Sequence, residues 1–359
     1  MPSNVYLMRL NSSDTDDTIN AKVARLAQAS NVLKHIDRDS HSALKIHFGE
    51  KGNTGHISSL WLKGLTSIIN ARTKNAFFTD TNVLYKESER TNSVDHLKLS
   101  YAHGFGFEEM GVPVIIADGL WGRNFVDVRI DKKRFASVKI ASDIVEADNL
   151  LALTHITGHI MTGFAGALKN LGMGCASRRG KFEQHCGIVP AFDQASCVGC
   201  GQCVINCPAG CLSMKNGRAG LDERSCMGCG ECVVVCKTNA FTAKWSETLA
   251  NLQEKMVEYA YGVTESLGRK IGYINFLTNI TRDCDCLAKD EPRITKDIGI
   301  LASDDPVSID KASADMLNGA ETKDVFKSQY PEIDWTVQLK YASSLGMGSM
   351  DYKLVELGA

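Results

Sequence analysis

Eight cysteines stand in two runs of identical spacing. Cys197, Cys200, Cys203 and Cys207 recur 29 positions later as Cys226, Cys229, Cys232 and Cys236, each run reading C-x-x-C-x-x-C-x-x-x-C. Three thiols at successive two-residue intervals can wrap one side of a [4Fe-4S] cube while the fourth reaches across to a second cube. The spacing therefore predicts two [4Fe-4S] clusters with crossed ligation. Cys197, Cys200, Cys203 and Cys236 would hold the first, and Cys226, Cys229, Cys232 and Cys207 the second. The intervening text repeats as well, Cys-Val-Gly-Cys-Gly-Gln-Cys against Cys-Met-Gly-Cys-Gly-Glu-Cys, so the segment reads as two copies of one small unit. Gly199, Gly201, Gly228 and Gly230 suit loops that turn tightly and bring N–H groups close to sulfide. Structural zinc or disulfides are poorer explanations, because neither calls for a doubled, interlocked pattern.

Other chemistry-bearing residues lie outside these runs. Glycines are dense from Gly158 to Gly174, more so than a stable helix favours, which suggests backbone approaching a ligand. His155 and His159 open that stretch, and Arg178, Arg179, Lys181 and His185 follow it, a concentration suited to an anionic substrate and to proton transfer. A glycine-rich turn with hydrogen-bonded histidines is the plainer alternative. Asp283-Cys284-Asp285-Cys286 would put both thiols on one side if extended, where they could bind a further metal; a reduced loop without a ligand is equally compatible. Cys211 is expected to be a small buried hydrophobe. Gly49 to His56 reads as a tight strand-to-helix connection, and Asp80-Thr81-Asn82 as a polar strand end of the kind that borders ligands in open α/β sheets.

Stepping outward, the elements that must position these groups alternate between strand-like and helical periodicity. Strands are expected at 5–8, 44–48, 76–79, 114–117, 125–130 and 150–154, with helices over 19–36 and 60–68. Beyond the cysteines, helical periodicity returns near 245–261, 308–317 and 334–345, and strand-like runs at 271–277 and 298–301. The expected architecture is a layered α/β body in two parts, 1–189 and 244–359, interrupted at 190–243 by the cysteine-rich module.

Composition narrows the field. The 359 residues carry 40 basic and 42 acidic side chains for a formal charge of −2, which argues against bulk nucleic-acid binding. With 44% hydrophobic and 23% charged residues the chain is not predominantly disordered. No apolar run approaches the roughly 18 residues of a membrane span, and no export leader is evident at the start, so a soluble, cytoplasmic protein is expected.

Taken together, Lys45 to Asn53, Asp80-Thr81-Asn82, Gly166 to Gly174, Asp283 to Cys286 and Gly299 to Pro306 resemble the bacterial and archaeal "domain of unknown function 362" proteins that carry a bacterial-type two-cluster ferredoxin insert. The resemblance implies an α/β body with that insert and no settled reaction. A fainter similarity is to the nickel-pincer lactate racemases, in which a cofactor-bearing lysine follows a histidine by ten residues. His159 and Lys169 stand at that interval, which would imply an organic cofactor or substrate carbonyl held by Lys169, with His155 or His159 carrying protons. The leading expectation is an iron–sulfur oxidoreductase: an external redox carrier loads the clusters, and electrons pass to a body site with Lys169, His155 and His159 as catalytic residues. Arg178, Arg179 and His185 would hold an anionic substrate or cofactor. The rivals are a non-catalytic relay or sensor docked on a partner enzyme, and an acid–base enzyme whose clusters are structural.

Overall fold

The fold follows from a set of apolar runs too long to leave one face wet. The computed structural model describes residues 2–84, 88–185, 189–207, 209–226, 230–242 and 248–358. Its main sheet has eight strands: β1 (Ser3–Arg9), β2 (Ser42–Lys45), β3 (Ala76–Asp80), β4 (Val114–Ile116), β5 (Asn149–His155), β6 (Ile271–Leu277), β7 (Gly299–Ser303) and β8 (Tyr352–Glu356). They lie in the order β8-β1-β7-β6-β5-β2-β3-β4. All pairings are parallel except those of β7 with β1 and β6, so β7 alone runs against the other strands.

Every residue of β2, β3, β5, β6 and β7 is buried, the signature of strands covered on both faces. Successive side chains divide between two cores. Leu151, Leu153, Ile274 and Phe276 enter one, with Val23 and Leu26 of helix Asp16–Ala29 and Leu65 and Ile69 of helix Lys63–Arg72. Leu150, Ala152, Tyr273 and Leu277 enter the other, with Val257, Ala260 and Val263 of helix Leu249–Ser266 and Ala312 and Leu317 of helix Pro306–Glu321. Local signals set the helix starts. Thr15 accepts from the Thr18 N–H, and Asp305 accepts from the Val307 and Ser308 N–H groups ahead of a proline in the first turn.

Three departures from the expected elements have physical causes. The first helix stops at Ala29 rather than continuing to Ile36, because Asn31 adopts φ 64°; Leu33 and Ile36 still reach the same core from a turn. The second strand leaves the sheet after Lys45, although the Ile46 N–H still reaches the Thr79 carbonyl, and Gly49 at φ 87° turns the chain away. The run at Phe125–Arg129 is a strand outside the main sheet, paired in a hairpin with Ser137–Ala141.

Between Ala191 and Thr242 the texture changes. Ala191–Phe192 pairs with Phe241–Thr242, a hairpin joins Leu212–Lys215 to Arg218–Leu221, and two short helices span Gln202–Ile205 and Glu231–Val235. Each short helix follows a left-handed glycine, Gly201 at φ 71° and Gly230 at φ 70°, so the duplication read in the sequence recurs in the backbone. The hydrophobic cluster here is small and includes Cys203, Cys211, Cys232 and Cys236 beside Val233, Val235 and Phe241. Leu84 and Phe182 of the body complete it.

Candidate functional site

At the C-terminal ends of β2, β3 and β5 the body encloses a cavity of about 370 Å³. This is where ligands of open α/β sheets bind, because strands that diverge leave a crevice there. Lys45, Asp80 and His155 are the last residues of those three strands, so the sheet itself presents them to the cavity. Lys45 Nζ lies 3.0 Å from Asp80 Oδ1 and donates to Asn170 Oδ1 at 2.8 Å. Asp80 is held well below the ordinary carboxylate range: burial opposes its charge, but Lys45, His47, His96 and Lys181 outweigh that. Lys181 Nζ donates to Thr81 Oγ1 at 2.5 Å and to the Asn82 carbonyl at 2.6 Å. Burial depresses its pKa, against the pull of Asp118 and Asp80.

Lys169 differs from these lysines. It sits in the first turn of the short helix Ala167–Gly172, lines the cavity, and makes no side-chain hydrogen bond with any described residue. Burial lowers its pKa, yet the thiols of Cys284 and Cys286 and the carboxylate of Asp285 more than compensate, so it stays a cation. Asp310 fixes that helix, accepting from the Ala167 N–H at 2.7 Å and the Leu168 N–H at 2.9 Å. A Cβ at Gly166 would stand 2.3 Å from the Asp310 carboxylate.

Of the dense glycines, Gly166 and Gly174 line the cavity, and several also let backbone meet protein closely. Gly158 shows it as clearly as Gly166: a Cβ there would stand 2.2 Å from the Arg282 carbonyl oxygen, and its N–H bonds the Thr281 carbonyl at 2.9 Å. These contacts dock the 281–287 loop against the cavity. The loop is a turn, not an extended strand, and both of its cysteines are half-buried and line the cavity.

The histidines divide by role. His155 Nδ1 lies 2.8 Å from Asp285 Oδ2 and Nε2 lies 2.6 Å from the Thr278 carbonyl. Two acceptors require two N–H donors, so the ring is an imidazolium. Burial opposes that charge, but Asp285 raises the pKa overall. Its protons are committed to holding Asp285. At His159 the Nδ1 accepts from the Met161 and Thr162 N–H groups at 3.2 and 3.1 Å, which places the proton on Nε2. Burial and Lys169 push its pKa well down, and the same two causes lower His185 to about 3, so both are neutral rings.

Of the residues singled out from the sequence, Lys169, His155, His159 and His185 meet in this one cavity. Arg178 and Arg179 do not line it. Arg178 is buried, with its guanidinium 3.4 Å from the Leu84 carbonyl and 3.5 Å from the Thr91 carbonyl, and Arg179 lies near Glu183 and the Phe125 ring.

The model of a protein family described as "Domain of unknown function (DUF362)" matches residues 43–315. The chain belongs to that family. The match spans β2 to most of helix Pro306–Glu321, and so contains the cavity and the cysteine-rich segment of this DUF362 protein. No curated protein matches it. Among solved structures it is similar to the lactate racemase apoprotein from Thermoanaerobacterium thermosaccharolyticum, with 11% identity, a TM-score of 0.44, and 86% of this chain against 57% of that one. A protein from Thermotoga maritima is also similar, with 9% identity, a TM-score of 0.41, and 93% against 60% coverage. The chain thus covers less than two thirds of either relative.

In this DUF362 member the two cysteine sets gather around separate small cavities. Cys197, Cys200, Cys203 and Cys236 line one, and Cys207, Cys226 and Cys232 line the other together with Cys211; Cys229, with Gly228 and Pro208, lies outside the described residues. The Ala219 N–H points at Cys197 Sγ from 3.4 Å. Cys211 is buried, and its sulfur is 3.3 Å from that of Cys207. Among the described residues no group of three or more His, Cys, Asp or Glu converges to hold a single metal ion, and no helix is long and apolar enough to cross a membrane.

Sequence reasoning missed one buried assembly. Glu50 Oε2 accepts from Arg90 Nε at 3.1 Å and from the Ser88 hydroxyl, and Arg90 Nη1 lies 2.8 Å from His47 Nε2, itself 3.6 Å from Cys286 Sγ. A glutamate in a connecting loop carries no local signal of this. Its arginine lies 40 residues away.

Proposed function

We propose that the protein is an iron–sulfur oxidoreductase that takes electrons from an external carrier and delivers them to a small anionic substrate in the body cavity. The observation that carries this reading is helix Arg178–His185. Lys181 and His185 line the cavity, while Phe182 between them is fully buried in the cysteine-rich cluster. A Cβ at Gly230 would stand 2.3 Å from the Phe182 ring, so the second cysteine set abuts the helix that walls the cavity. Arg123 of the body and Glu231 add an ion contact at 3.4 Å.

The donor chemistry fits a pair of [4Fe-4S] clusters. The metal-binding side chains around each small cavity are mainly thiols, with the Met214 thioether at the first and Glu231 at the second. A cube spreads its cysteines over four irons, so the ligands surround a volume and need not converge on a point. Cys197, Cys200, Cys203 and Cys236 would hold one cluster and Cys207, Cys226, Cys229 and Cys232 the other, supplying reversible one-electron storage. Cys200 is exposed, flanked by Val198 at 70% and Ile205 at 77% exposure, which suits the approach of a carrier from outside.

Within the cavity, Lys169 is the cation left for a substrate carboxylate or phosphate, and neutral His159 offers an Nε2–H donor. Purification without oxygen should yield about eight irons and eight sulfides per chain. A colourless, zinc-containing product would remove the reading. Turnover that persists with the iron locked in one oxidation state would instead favour acid–base chemistry with structural clusters.

A further inference from the structure

Cys284 and Cys286 are not used by the relay just described, yet they line the same cavity as Lys169, whose side chain makes no hydrogen bond with any described residue. The turn between them is fixed. Asp285 is pinned through its side chain by His155, and that imidazolium is itself anchored to the Thr278 carbonyl. Cys284 and Cys286 flank that pinned residue, both line the cavity, and Cys286 Sγ lies 3.6 Å from His47 Nε2.

The two sulfurs are chemically unequal. Cys284 and the Lys169 ammonium beside it pull Cys286 well below the ordinary thiol range. Its interaction with Cys286, together with burial, pushes Cys284 up. An acidic attacking thiol next to a protonated one is the arrangement of a redox-active pair.

We propose that Cys284 and Cys286 form a reversible dithiol/disulfide couple that passes a pair of electrons to a small anionic disulfide seated against Lys169. The Cys286 thiolate attacks one sulfur of the substrate, whose S–S bond breaks to release one thiolate and leave a mixed disulfide. Cys284 then attacks Cys286 Sγ, forming the Cys284–Cys286 bond and expelling the second half of the substrate, which leaves with the Cys284 proton. Reduction of that bond consumes two electrons and one proton; the proton returns to Cys284 and Cys286 is left as the thiolate. The electrons come one at a time from a low-potential iron–sulfur donor. Only this last point rests on the function proposed above.

The test uses the full-length chain isolated without oxygen and equilibrated in dithiothreitol redox buffers. Samples are quenched in acid and alkylated, and the peptide carrying both cysteines is quantified by mass spectrometry, with iron and sulfide counted in the same samples. The expected result is a single transition between dithiol and intramolecular disulfide. Because Lys169 stabilises the thiolate, and so the reduced form, Lys169→Met should shift the equilibrium toward the disulfide by roughly tenfold, about 30 mV for a two-electron couple. With 5,5′-dithiobis(2-nitrobenzoate), an anionic disulfide, Cys284→Ser should retain the mixed disulfide on Cys286, whereas the unmodified chain resolves it. Absence of the linked peptide across the whole buffer range, or an equilibrium unmoved by Lys169→Met, would overturn the proposal. A working couple in iron-free protein would keep it while removing the proposed electron source, and full iron with no couple would do the reverse.

Discussion

In the body, Lys45 and Asp80 are held 3.0 Å apart at the ends of strands buried on both faces, whereas in the cysteine-rich segment the sulfurs are themselves part of the core. The first arrangement borrows its rigidity from hydrocarbon packed around it. The second has Phe241, Val233, Val235, a few neighbours and two residues lent by the body, too little apolar surface to order about fifty residues without cross-links or metal. Where a core is large, polar groups can be placed by packing; where it is small, the proposed clusters would do the placing.

The largest effect that would sharpen this contrast comes from removing the iron of the proposed clusters. Chelation should lower amide protection across 191–242 by about a thousandfold or more, while β5 and β6 keep theirs, as read by hydrogen exchange. Equal loss in both regions would break the distinction. Next, Asp80→Ala leaves Lys45 buried without its partner and should cost about 3–5 kcal/mol in a denaturant melt. Phe182→Ala should cost about 3 kcal/mol and, unlike Asp80→Ala, should loosen both regions at once.

The smallest effect is one of pH. His155 has a raised pKa in the folded chain, so its charge stabilises fully below about pH 6.5 and the benefit is lost as pH rises through the folded value. Asp285 has a lowered pKa, so its contribution is present above about pH 3.9 and is lost as pH falls through the folded value. Thermal melts of the unmodified chain and of His155→Gln should therefore differ most between these limits and converge at high pH.

How much of this was legible depended on how local each constraint is. The cysteine pattern is written in gaps of two and three residues, so the grouping of Cys197, Cys200 and Cys203 around one small cavity follows from spacing, and the arrival of Cys236 there from the duplication. The buried strands β5 and β6 announce themselves as unbroken apolar runs. The cavity's ion network does not, because its partners are far apart in the chain: Lys45 with Asp80, Glu50 with Arg90, His47 with Cys286. Periodicity reports which way a residue faces, never what it meets. Glycine was ambiguous for the same reason, since a close approach to the Arg282 carbonyl and one to a ligand leave an identical mark in the sequence.

Lys181 and Phe182 are consecutive residues on one rigid helical turn, one tethered to the cavity floor and the other clamped beneath Gly230. A disturbance on the sulfur side therefore travels to an ammonium in the cavity without crossing any flexible joint. On the proposed function, binding constants obtained on iron-free protein would describe a differently shaped receptor, so ligand screens belong on oxygen-protected material.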